Sequence, residues 1–84
     1  PGNEAQSDDE LNEYIRSKAD TAYHPCGTCK MGVDDMAVVD ENLKVKGIDN
    51  LRVIDASVIP EIPSANLNAP TLMIAEKGAD TILN

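Results

Sequence analysis

Eighty-four residues suffice for one small domain at most. Seven basic residues against fifteen acidic ones leave a net charge of −8, which excludes the phosphate-neutralising surface of a nucleic-acid binder and disfavours adhesion to an anionic membrane face. Hydrophobic residues make up 42 % of the chain but aromatics only 2 %, so a core built from it alone is aliphatic and thin.

The chain starts on Pro1 with no methionine beside it, and it is expected to be a fragment or processed piece of something longer. Ser7 and Glu10, with Asp8 and Asp9 between them, form a capping-box pattern that predicts a helix over 8–21. Leu11, Tyr14, Ile15, Ala19 and Ala22 recur at helical spacing, away from Glu13, Arg16, Lys18 and Asp20, so one stripe is expected to pack. Residues 23–32, Tyr-His-Pro-Cys-Gly-Thr-Cys-Lys-Met-Gly, have no period and read as extended at Tyr23 and looped afterwards. Residues 37–39, 43–46 and 51–55 predict three short strands separated by turns at 40–42 and 47–50. Pro60 and Pro63 bracket a loop that runs on to Asn68, and Pro70 suits the first turn of a last helix over 69–83. Leu72, Ala75, Ala79, Ile82 and Leu83 are its expected packed stripe. The whole is a small α+β pattern with too few strands to close a sheet of its own. No apolar run reaches the roughly 18 residues of a membrane span, and no basic-then-apolar leader opens the chain. Together with two cysteines, too few for a disulfide framework, this gives an intracellular expectation, cytoplasmic or peripheral to a membrane.

Three places could carry chemistry. Cys26 and Cys29 form a C-x-x-C, but with His24 they supply three ligands where zinc takes four, and the residues after Cys29 do not open the helix of a redox site. Small thiols in a tight loop are the favoured reading, and no metal is expected. His24 is the only histidine and the one side chain suited to proton transfer near neutral pH, although a lone histidine is more often a structural hydrogen bonder. Asn66 and Asn68 precede a helix N-terminus, where they serve either as an Asx turn and a cap or as part of a site for a negatively polarised ligand.

Taken together, Tyr23-His24-Pro25-Cys26-Gly27-Thr28-Cys29-Lys30-Met31-Gly32, Ala37-Val38-Val39-Asp40, the run 51–60 (Leu-Arg-Val-Ile-Asp-Ala-Ser-Val-Ile-Pro) and Ser64-Ala65-Asn66-Leu67-Asn68-Ala69-Pro70-Thr71 with Ala75-Glu76-Lys77 resemble the C-terminal part of glucose–methanol–choline (GMC) flavin oxidoreductases. Within that family the likeness is greatest to choline-oxidising members, with Ala65 standing where those often have glycine. The resemblance implies a fragment of a two-domain fold, an FAD-binding α/β domain plus a substrate domain. Residues 1–33 would then belong to the substrate-side layer and residues 34–84 would complete the FAD-binding domain. It also implies oxidation of a small alcohol, choline in the first instance, to its aldehyde with FAD as cofactor. His24 matches the family's catalytic histidine and Asn66 the second position at the alcohol oxygen. Asp55, Ala56 and Asn68 match cofactor-binding positions. The G-x-G-x-x-G fingerprint is not found among the five glycines, so the N-terminal FAD-binding portion is an expected partner and the isolated segment is expected to be inactive. Another alcohol substrate, or a non-catalytic segment that binds a partner through its apolar stripes, are the alternatives.

Overall fold

The computed structural model describes all of residues 1–84. A first helix, α1, spans Asp8–Lys18. Its capping box is complete: Glu10 N–H donates to Ser7 Oγ at 3.2 Å, and Glu10 Oε2 accepts from the N–H groups of Ser7 at 3.1 Å and Gln6 at 2.8 Å. The helix stops three residues before the expected end. Ala19 is extended (φ −62°, ψ 136°), and Asp20 Oδ1 takes the Thr21 N–H at 2.7 Å, a local bond that competes with helical pairing. The packed stripe expected on this helix is not there: α1 buries no residue, and only Leu11 is partly covered.

A second helix, α2, spans Asn68–Leu83. Its covered face is Leu67, Thr71, Ile74 and Gly78, one stripe at helical spacing, and not the one expected from hydropathy. Leu72 is 59 % exposed and Leu83 83 % exposed, and Ala75 and Ala79 also face outward. The helix turns its smallest residue to the core because the bare backbone at Gly78 lets Ile54 approach more closely than any β-carbon would permit.

The expected strands are reduced to isolated bridges. Met31 pairs with Val39 in parallel, and Val39 with Val45 and Lys44 with Arg52 antiparallel. Left-handed backbone at Leu43 (φ 64°), Gly47 (φ 82°) and Asn50 (φ 61°) bends the chain between the partners of the two antiparallel bridges. Asp40 Oδ1 also captures the N–H groups of Asn42 (2.8 Å) and Lys44 (3.0 Å). A 3-10 turn at Ala56–Val58 follows directly on the last expected strand.

The core is small. Val39 and Val58 are fully buried beside Leu43, and Met31, Val38, Val45, Val53, Ile54 and Ile74 pack around them. Outside this cluster the chain is open: its radius of gyration is 18.8 Å, against about 12 Å for a compact chain of this length. Its accessible surface is 6727 Å², against about 4,900 Å² for a folded monomer of this mass. α1 packs against neither α2 nor the 3-10 turn. No helix is long and apolar enough to cross a membrane.

Candidate active site

His24 is mounted by the four residues before it. Thr21 Oγ1 accepts the N–H of Tyr23 at 3.0 Å, closing a two-residue side-chain turn. Tyr23 then adopts a left-handed φ of 58°, a conformation that costs an L-residue about 1–2 kcal/mol. The next residue folds back, and His24 Nδ1 lies 2.5 Å from the carbonyl oxygen of Ala22. A carbonyl can only accept, so Nδ1 carries the proton and the neutral ring keeps its lone pair on Nε2. His24 is exposed and makes no other protein hydrogen bond.

The loop after His24 is tied to the segment that follows the last bridge. Cys29 N–H donates to Ser57 O and Met31 N–H to Val58 O, both at 2.9 Å. Gly27 is left-handed (φ 89°), and a β-carbon there would stand 3.3 Å from Ile59 O, so this crossing needs glycine. Asp55 caps the 3-10 turn: its Oδ1 accepts the Ser57 N–H at 2.7 Å and the Ser57 hydroxyl as well. The Ser57 hydroxyl first, and its N–H second, hold the Asp55 carboxyl below the usual range. Ala56 is half-buried within the turn.

Asn66 is exposed, its side chain forms neither the expected Asx turn nor a hydrogen bond to His24. Asn68 is the first residue of α2 and not its cap. Leu67 holds the cap position and offers no side-chain acceptor, so no side chain satisfies the first-turn N–H groups. Three surface cavities are present, and none is lined by His24, Asn66, Asp55, Ala56 or Asn68. The largest, about 950 Å³, lies along residues 44–52 with Asp40 and Ile82. Cys26 and Cys29 are free, half-buried thiols, and no three His, Cys, Asp or Glu side chains cluster as a metal site would need.

Backbone hydrogen bonds thus tie the Cys26–Met31 loop to the 3-10 turn, α2 packs against that turn, and His24 and Asn66 are left unconnected within this chain. Sequence reasoning missed two contributors. Thr21, two residues before Tyr23, has the side-chain-turn spacing, and Ser57, two residues after Asp55, has the spacing of an aspartate cap.

The comparisons with known proteins agree with one another. A family model described as GMC oxidoreductase, its C-terminal part, matches residues 1–75. The chain is 61 % identical over 82 residues to an oxygen-dependent choline dehydrogenase of Klebsiella pneumoniae subsp. pneumoniae, and 58 % identical over 82 residues to one of Escherichia coli O45:K1. Each match covers 98 % of this chain and 15 % of the relative, so the chain spans about a seventh of their length. Among solved structures, the pyridoxine 4-oxidase from Mesorbium loti superposes with a TM-score of 0.84 at 43 % identity, over 94 % of this chain and 16 % of that one. A match over most of the chain, at this identity and with this fold, places it in a family: the chain belongs to the GMC oxidoreductases.

Proposed function

We propose that this segment supplies the alcohol-side catalytic residues and part of the cofactor contacts of an FAD-dependent enzyme that oxidises choline to betaine aldehyde. The observation that carries the reading is the 61 % identity, over nearly the whole chain, to a protein named as a choline dehydrogenase. The division of labour is a substrate-side layer in residues 1–33 and completion of the FAD-binding domain by residues 34–84, with the rest of both domains supplied by a longer N-terminal portion.

His24 accepts the hydroxyl proton at Nε2, the nitrogen left free by the bond from Nδ1 to Ala22 O. Asn66, exposed and without a protein partner, donates its amide N–H to the same oxygen and orients the carbinol carbon. The donor chemistry fits a flavin: the uncapped N–H groups at the start of α2, from Asn68 onward, suit an electron-rich ring edge, and the helix dipole adds to them. Asp55, with Oδ2 unengaged, and the backbone at Ala56 would hold the polar chain of the cofactor. The chemistry that a bound flavin supplies is acceptance of a hydride at N5.

Replacing His24 with alanine in the full-length enzyme should lower the rate of choline-dependent flavin reduction about 10²- to 10⁴-fold. An unchanged rate would remove His24 from the chemistry. The structural likeness to a pyridoxine oxidase supports a second reading, a GMC enzyme for a different alcohol, and a substrate panel on the same preparation separates the two.

A further inference from the structure

We infer that Thr21 is a positioning residue for His24: its hydroxyl sets the left-handed backbone at Tyr23 and thereby selects the ring tautomer that leaves Nε2 basic. This rests on the reading of His24 as the proton acceptor. The chain of cause is local and complete. Asp20 Oδ1 accepts the Thr21 N–H at 2.7 Å and fixes the residue that follows α1. Thr21 Oγ1 then accepts the Tyr23 N–H at 3.0 Å. A tyrosine does not hold a φ of 58° by preference, and it is 76 % exposed, so no packing of its own ring holds it there. The Thr21 hydroxyl is the only polar contact that does so. With Tyr23 so turned, the Ala22 carbonyl faces Nδ1, and Pro25 on the other side limits the backbone after the ring.

Nothing else in the chain competes for the ring. The titratable neighbours in sequence are Asp20, Tyr23 and Cys26. The one ion pair of the molecule is Lys30 with Asp34, and no side chain from the bridged core, the 3-10 turn or α2 hydrogen-bonds His24. Without the Thr21 bond, Tyr23 relaxes to a negative φ, Nδ1 loses its acceptor, and the ring is free to rotate and to carry its proton on Nε2. In that tautomer Nε2 has no lone pair with which to take a proton from the alcohol.

The test uses the full-length enzyme with choline as substrate and compares Thr21→Val, Thr21→Ser and His24→Ala. Thr21→Val keeps the shape and removes the acceptor. It should lower kcat about 10- to 100-fold with KM changed little, and leave flavin content unchanged. Thr21→Ser should restore the rate. If His24→Ala collapses the rate while Thr21→Val matches the parent, the positioning role is wrong and the role of His24 stands. If His24→Ala itself is without effect, the underlying reading fails. Should Thr21→Val not fold, ¹⁵N shifts of the His24 ring in the unmodified enzyme, assigned by their loss in His24→Ala, decide the matter. A protonated Nδ1 with a bare Nε2 supports the inference, and the opposite tautomer overturns it.

Discussion

Gly78 on α2 lies so close to Ile54 that a β-carbon at position 78 would come within 2.6 Å of the Ile54 Cγ2 methyl and 2.9 Å of Cδ1. That approach seats the helix on the segment leading to Asp55, and α2 packs against the 3-10 turn that follows it. An alanine there gains about 1 kcal/mol of helix propensity and meets an overpacking cost of about 1–3 kcal/mol. Since Cγ2 is anchored near the backbone and cannot swing away, Gly78→Ala is expected to destabilise the full-length protein in urea melts. In an Ile54→Ala background the same substitution should turn neutral or stabilising. Equal destabilisation in both backgrounds would show that the contact is not what excludes a side chain.

Asp40 should contribute to acid sensitivity. Its carboxyl is held below the usual range by the Lys44 N–H first and the Asn42 N–H next, with Lys44 and Arg52 adding charge. A carboxyl whose folded pKa is depressed stabilises the fold above the unfolded value and loses that contribution as pH falls through the folded one. The loss is therefore expected below about pH 4, from the ordinary aspartate value downward. Asp40→Asn keeps an acceptor oxygen for both N–H groups and should flatten the stability curve there. Asp40→Ala removes the turn bonds and should be less stable at every pH. Chemical melts at a series of pH values read both, and an Asn variant with an unaltered acid limb would count against Asp40.

Helix α1 stands on its caps. It buries nothing, and eleven residues form only a marginal helix in water, so the Ser7–Glu10 box carries an unusual share of its order. Ser7→Ala is expected to cost about 1 kcal/mol of local helix stability. Amide exchange across residues 8–11 should then speed up several-fold while the Val39–Val58 core keeps its protection. Uniform protection in both proteins would mean that packing in the full-length protein, and not the cap, orders this helix.

Local chemistry was legible in the chain wherever one residue acts on its near neighbours. The Ser7–Glu10 box starts α1 where the pattern places it, and Pro70 sits in the first turn of α2. His24, Asn66, Asp55, Ala56 and Asn68 were singled out through their motifs, and the family follows from the order of those motifs. Three expectations failed. The three strands survive only as single bridges because Asp40 Oδ1 and the left-handed residues Leu43 and Asn50 outbid ladder pairing. The apolar stripe of α1 meets nothing, and that of α2 is turned outward.

The sequence by itself thus determined the start of α1 with its capping box and singled out the chemically capable side chains, while the expected cap at Asn68 and Asx turn at Asn66 did not form. Only the tertiary structure decided which face of α2 is covered, that the Cys26–Met31 loop runs beside the 3-10 turn, and that Ala22 O binds the His24 ring. The first two depend on close approaches between residues far apart in sequence, Gly78 to Ile54 and Gly27 to Ile59, where the absence of a side chain outweighs the presence of apolar ones. The third is local in sequence but turns on one backbone angle, the left-handed φ of Tyr23, that a tyrosine does not announce.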